Sequence, residues 1–134
     1  MVTPVILFTE SQIESLAKLL GECGSRTDIS RVLTGCKLED NSGESTKWRL
    51  LYWVFLDSQN QYKSANHILR FIESFLSPAR FVGRSEEFEA HRQHLNSILA
   101  FSGLEYGMDG KLALVSKHGY MLLGLIVLHE LSQV

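Results

Sequence analysis

The chain has little cysteine, little proline and no excess of charge of either sign. Its 134 residues include two Cys and two Pro, and 13 Lys and Arg stand against 15 Asp and Glu, for a formal net charge of −2. So few cysteines exclude a small secreted domain held together by disulfides. The balanced charge disfavours nucleic-acid binding driven by net charge alone.

Long hydrophobic runs and targeting signals are also missing. The longest apolar run, residues 120–128, is too short to cross a bilayer. The first residues are apolar but carry no basic segment and no cleavage-like site, as a signal peptide would. We therefore expect a cytoplasmic protein that makes no membrane contact.

What the sequence does contain is enough apolar material for one core. Hydrophobic residues make up 45% of the chain and aromatic residues 10%, which excludes a disordered chain. The length suits a single domain. We expect residues 1–134 to form one helical domain, with a core over about residues 8–117 and an apolar tail at residues 118–134.

Hydrophobic spacing predicts about five helices. Thr9 and Gln12 match a capping box at the start of the first helix. The third helix is apolar on most sides, which indicates a central helix or one that meets a partner. The buried stripe of the fifth helix is expected to run from Phe88 to Phe101. The other helices are predicted to run from residue 27 or 28 to about 34, from 45 or 46 to about 60, from 64 to before Pro78, and from 85 to 103.

Alternating apolar residues over 104–114 predict a β-hairpin after the helices. Asp109-Gly110 favours a two-residue turn with positive φ at both central residues. Residues 120–134 suit a helix or an apolar tail. The predicted fold class is therefore mainly α, with about five helices followed by a C-terminal β-hairpin in a single compact domain.

No catalytic constellation stands out in the sequence. A Gly-rich phosphate loop and a Gly-x-Ser-x-Gly elbow are both missing. Glu87, His91 and His94 share one face of the fifth helix, as metal ligands could, but nothing completes a four-ligand set. We expect no enzyme activity, no cofactor and no metal; a small enzyme that uses these three residues is the remaining alternative.

Four arginines at the junction of the fourth and fifth helices are the candidate partner-binding residues: Arg70, Arg80, Arg84 and Arg92. Arginine binds phosphate through a rigid fork, so RNA or DNA is one possible partner. Ion pairs with Glu73, Glu86 and Glu89 on a solvated surface are the other interpretation. A helix-turn-helix is disfavoured, because Trp48, Leu51, Tyr52, Trp53 and Phe55 of the would-be reading helix belong in a core.

Several segments resemble the N-terminal domain of the Ymh-type bacterial family of conserved hypothetical proteins linked to abortive infection, a form of phage defence. They are Ser-Pro-Ala-Arg-Phe-Val-Gly at 77–83, Phe-Glu-Ala-His-Arg at 88–92, Leu-Asn at 95–96, Leu-Ala-Phe-Ser-Gly-Leu-Glu at 99–105 and Asp-Gly-Lys-Leu at 109–112. The resemblance runs from about Phe8 to Lys117. It departs after Lys117, where the family continues with a charged linker and this chain is apolar.

The resemblance implies a small helical module whose chemistry would reside in a C-terminal effector domain of HEPN-like, ribonuclease-type appearance, outside this sequence. No catalytic residue carries over to the matching segment. We therefore predict a non-catalytic sensor or adaptor module of a phage-defence protein, with a protein partner or that effector domain as its target. Nucleic-acid binding through the arginines at residues 70–92 is the alternative. The apolar tail at residues 118–134 predicts self-association.

Overall fold

Five α-helices are followed by an antiparallel sheet in the computed structural model, which describes residues 5–116 and 119–121. The sheet has three strands in the order β1-β2-β3. The predicted class, mainly α with a C-terminal hairpin, is confirmed. The elements are α1 (Glu10–Gly21), α2 (Arg26–Gly35), α3 (Lys47–Tyr62), α4 (Asn66–Phe75), α5 (Ser85–Leu99), β1 (Leu104–Tyr106), β2 (Leu112–Ser116) and β3 (Gly119–Met121), with 3₁₀ turns at Pro78–Phe81 and Ala100–Ser102.

Capping boxes fix the starts of the first two helices. At α1 the Gln12 N–H donates to Thr9 Oγ1 at 3.1 Å, and the Thr9 N–H donates to Gln12 Oε1 at 3.0 Å, as predicted. At α2 the same exchange joins Ser25 and Asp28, each at 3.1 Å. Helix α2 therefore begins at Arg26, one or two residues before the predicted start, because the Ser25 hydroxyl accepts the free N–H of Asp28 in its first turn.

The core lies around α3, which contacts α1 and α4. Leu50, Leu51, Val54 and Phe55 of α3 are buried. Phe55 packs edge-on against Phe71 of α4, with ring centroids 5.3 Å apart. Helix α4 also contacts α2, and α5 contacts α1 on one side and β1 on the other. Helix α5 thus links α1 to the hairpin.

Two side-chain amides hold backbone segments against the helices, and we call them the amide clamps. Gln59 of α3 accepts the Phe8 N–H at 2.9 Å and donates to the Phe8 C=O at 2.8 Å. Asn96 of α5 accepts the Tyr106 N–H at 2.7 Å and donates to the Tyr106 C=O at 3.1 Å. Each amide accepts the N–H and donates to the C=O of one residue, as a neighbouring strand would. At Tyr106, Asn96 therefore satisfies the backbone groups on the outer edge of β1.

The hairpin turn differs from the predicted two-residue turn. Tyr106 pairs with Leu112, which leaves a five-residue loop at 107–111. Only Gly110 of this loop lies in the left-handed region, with φ of +80°. Asp109 keeps a negative φ and accepts the Lys111 N–H through Oδ1 at 3.0 Å. A Cβ on residue 110 would lie 2.5 Å from Pro78 Cδ, so close packing also requires glycine there.

Two further expectations are corrected at the end of α5 and beyond it. Phe101 is 85% exposed rather than buried. Helix α5 ends at Leu99. At about 100° per residue, Phe101 lies about 120° from the centre of the stripe that Phe88, Leu95, Ile98 and Leu99 form, so it belongs to the solvent side. Residues 119–121, expected in a helix or tail, form β3, with Met121 opposite Leu114. The rest of the apolar tail, residues 118 and 122–134, and its predicted self-association lie outside the described residues.

None of the described helices has both the length and the apolar character that crossing a membrane requires.

Candidate partner-binding surface

Arg80 ties two helices together rather than facing solvent. Its guanidinium donates to the Phe75 C=O at the end of α4 and lies 3.5 Å from Asp28 Oδ2 at the start of α2. The guanidinium also lies over the Phe75 ring, 4.5 Å from the centroid, and only 26% of the side chain is exposed. Hydrogen bonds from Ser25, with smaller contributions from nearby arginines, lower the pKa of Asp28. Arg80 is therefore engaged within the fold.

Arg92 is engaged in the same way at the hairpin. It forms a two-pronged ion pair with Glu89, with N–O distances of 2.8 and 2.6 Å, and donates to the Tyr106 C=O at 3.1 Å. Its side chain is 16% exposed. The hydrogen bond from Arg92 lowers the pKa of Glu89. The predicted ion pair with Glu89 thus forms, and it orients Arg92 toward β1.

The other two arginines lie in different surroundings. Arg84 is exposed, donates to the Arg80 C=O at 2.6 Å and pairs with Glu87 at 3.2 Å. Arg70 is half-buried on α4 and makes no ion pair within the described residues. Arg70 and Arg92 line two different cavities at the hairpin turn, which share the loop residues Asp109 and Lys111. The structure therefore joins Arg80 to Arg84 but places Arg70 and Arg92 apart from each other.

The histidine face of α5 does not assemble into a metal centre in the part of the chain that the structure describes. His91 Nε2 lies 3.7 Å from Glu87 Oε1, and the ring packs edge-on against Phe81. His94 is exposed. Over residues 5–116 and 119–121, no three His, Cys, Asp or Glu side chains are grouped so that they could hold a metal.

Aromatic and cationic side chains lie one helical turn apart on α3, next to one lysine of α1, and together we call them the α3 aromatic surface: Lys18, Trp48, Arg49, Tyr52 and Trp53. Lys18 Nζ lies 4.9 Å from the centroid of the Trp48 ring, and Arg49 Cζ lies 5.5 Å from it. Tyr52 packs edge-on against Trp53 at 5.1 Å. Trp48 and Tyr52 are half-buried and Trp53 is 43% exposed. The prediction that Trp53 belongs in the core is therefore wrong.

The position of Trp53 on α3 explains its exposure. Arg49, Trp53 and Asp57 recur every four residues and are all exposed, whereas Leu50 and Val54 beside them are buried. This line is the solvent face of α3. The immediate neighbours of Trp53 do not indicate exposure, because apolar residues occur on both sides of it. The signal that sequence reasoning missed is the helical spacing, which places charged residues at i−4 and i+4.

The Trp48 ring positions the two cations of the α3 aromatic surface. A cation over an aromatic face is attracted by the ring quadrupole, which holds Lys18 and Arg49 at the Trp48 ring. Lys18 also lies 3.4 Å from Glu14, with both side chains about half exposed. Arg49 makes no ion pair within the described residues. The surface therefore combines exposed aromatic area with positive charge.

Comparisons of the chain with family models, with curated proteins and with solved structures give no match.

Proposed function

We propose that this chain is a non-catalytic sensor or adaptor module of a bacterial phage-defence protein of the abortive-infection kind, which acts by binding a protein partner. The resemblance of residues 77–112 to the Ymh-type family supports the phage-defence setting. The structural support for partner binding is the α3 aromatic surface. The partner is a separate protein or the effector domain that the family resemblance implies.

The exposure of Trp53 carries this proposal. Trp, Tyr and Arg are the residue types that dominate binding energy at protein interfaces, and all three occur together on this surface. Tyrosine and tryptophan supply large contact areas and keep a polar group for hydrogen bonding. An exposed tryptophan flanked by a half-buried Tyr52 and by Arg49 is therefore suited to be the centre of an interface.

The partner that fits this surface is a protein with an apolar strip bordered by acidic side chains. Apolar atoms would cover Trp53 and Tyr52, and carboxylates would pair with Arg49 and Lys18, whose charges face solvent. Nucleic-acid binding by the four arginines has less support, because Arg80 and Arg92 already donate to protein carbonyl groups. The α3 aromatic surface thus replaces the arginine junction as our candidate for partner binding.

The first experiment identifies the partner and then measures affinity with purified proteins. A photo-crosslinking amino acid is placed at Asp57, which lies exposed one helical turn after Trp53 on the same face of α3, so that Trp53 itself stays in place. The same group at Val82, which is 84% exposed and lies outside α3, is the control. The protein crosslinked only from residue 57 is purified and titrated against the chain. We expect Trp53→Ala to weaken binding about 30-fold or more, the cost of losing an interface hot spot, and Val82→Ala to leave it unchanged. Equal effects of the two substitutions would reject the surface.

A second experiment tests the phage-defence role separately. The efficiency of plating of a phage panel is compared between bacteria that carry the intact gene, a Trp53→Ala gene, a Val82→Ala gene and a disrupted gene. We expect disruption and Trp53→Ala to raise plating, and Val82→Ala to leave it at the intact level. Unchanged plating after disruption would reject the defence role, whatever the binding titration shows.

A further inference from the structure

A groove of about 360 Å³ runs between the end of α4 and the hairpin turn. Arg70, Glu73 and Ser77 line it from the side of α4, and Asp109 and Lys111 line it from the loop at 107–111. The volume falls within the range of small-molecule sites. It is separate from the α3 aromatic surface, since the two share no residue.

Three contacts fix the two walls of this groove relative to each other. The Leu112 N–H donates to Glu73 Oε2 at 2.9 Å, and the Tyr106 hydroxyl donates to the Leu76 C=O at 2.7 Å. Gly110 packs directly against the Pro78 ring. The groove is therefore preformed, and a ligand would not have to bring α4 and the hairpin together.

The cations and carboxylates of the groove differ in how many of their ion pairs and hydrogen bonds are already made within the fold. Arg70 and Lys111 make no ion pair within the described residues. Glu73 and Asp109 each use one oxygen to accept a backbone N–H, from Leu112 and Lys111 respectively. The second oxygen of each carboxylate makes no hydrogen bond among the described residues. The groove thus offers two cations for an anion and two oxygens for hydroxyl or N–H donors.

We propose that this groove binds a nucleoside monophosphate. The phosphate pairs with Arg70 and Lys111 and accepts from the Ser77 hydroxyl, because guanidinium and ammonium groups are the usual phosphate partners. Ribose hydroxyls and base N–H groups donate to the free oxygens of Glu73 and Asp109. A simple anion would pair with the cations alone, whereas a nucleoside monophosphate also brings hydroxyl and N–H donors to the carboxylate oxygens. This inference rests on the proposed function in one respect: the nucleotide would be the signal that the sensor module detects.

The test is a calorimetric titration of the full chain with AMP, GMP, CMP and UMP. Inorganic phosphate and the unphosphorylated nucleosides serve as partial ligands. We expect at least one mononucleotide to bind, and phosphate or the matching nucleoside alone to bind more weakly by about tenfold or more. Arg70→Gln should weaken the mononucleotide by about tenfold or more, since a charge-assisted hydrogen bond is worth a factor of that order.

Lys111→Gln provides a second variant at an exposed position, so the test stands even if Arg70→Gln disturbs folding. Arg84→Gln, an exposed arginine outside the groove, is the matched control and should bind like the parent chain. Absence of mononucleotide binding at millimolar concentration would overturn the proposal. Equally tight binding of phosphate alone would also overturn it, and so would an Arg84→Gln variant that weakens binding as much as Arg70→Gln. A single-stranded RNA is titrated in the same way, and if only this RNA bound, the groove would be a nucleic-acid site and the mononucleotide proposal would be wrong. Partner binding at Trp53 is measured separately, so either proposal can fail without the other.

Discussion

Replacing Asn96 by alanine removes the amide clamp between α5 and β1. The Tyr106 N–H then loses its acceptor at 2.7 Å, whereas the Tyr106 C=O keeps its bond from Arg92 at 3.1 Å. Leaving a backbone N–H unsatisfied costs about 1–3 kcal/mol. Alanine returns up to about 0.7 kcal/mol through its higher helix propensity. The free energy of unfolding should therefore fall by about 0.3–2.3 kcal/mol.

Asn60→Ala is the matched control, because Asn60 lies exposed on α3 and gains the same helix propensity without losing a clamp. Urea unfolding followed by circular dichroism gives the free energy of unfolding of the parent chain and both variants. We expect Asn96→Ala to be less stable than Asn60→Ala by about 1–3 kcal/mol, the full cost of the unsatisfied N–H. Asn96→Asp, which keeps the acceptor oxygen but loses the donor, should lie between Asn96→Ala and the parent. Identical stabilities of the two alanine variants would show that the clamp contributes nothing.

Three further predictions concern two glycine substitutions and the pH dependence of stability. Gly24→Ala should destabilise the chain by about 1–3 kcal/mol in urea unfolding, because the new Cβ would lie 2.7 Å from Phe75 Cζ. Gly35→Ala meets nothing within 4 Å and should stabilise it by about 0.5–1 kcal/mol; loss of stability there would contradict this account. Burial raises the pKa of the Cys23 thiol to about 12 from an ordinary value of 9.0. Above pH 9 the thiol therefore loses its proton in the unfolded state but keeps it in the folded state, so the free energy of unfolding falls as pH rises. Unfolding midpoints measured from pH 8 to about 10 should fall less steeply in Cys23→Ala, and parallel profiles would refute the assignment.

Local signals in the sequence predicted most of the fold. The Thr9–Gln12 capping box lies within four residues and needs no tertiary partner, so α1 begins where the pattern places it. The hairpin loop instead packs Gly110 against Pro78, which is distant in sequence, so local turn signals do not include this contact. The exposure of Phe101 follows from the helical spacing itself, which places this residue about 120° from the centre of the buried stripe, so the sequence did carry the signal.

The candidate sites were predicted less well, because residue type does not reveal the partner of a side chain. Arg80 and Arg84 lie close together in sequence as in space, yet Arg80 bonds to Asp28, which sequence spacing cannot indicate. Arg92 likewise bonds to the backbone of Tyr106. Of the four arginines, Arg70 alone lines the proposed nucleotide groove. Lys111 lines the same groove only because the hairpin folds back beside α4, which the sequence does not indicate.

The Gln59 clamp has a consequence for the order of events during synthesis. It joins residues 51 positions apart, whereas the Asn96 clamp joins residues only 10 apart. Closing the longer loop costs about 1.4 kcal/mol more in chain entropy. At about 5–20 residues per second, the segment at residues 5–8 waits roughly 3–10 seconds for Gln59 to be made. Until then Ile6 and Phe8, both buried in the finished fold, have no clamp to hold them, and a chaperone has time to bind them.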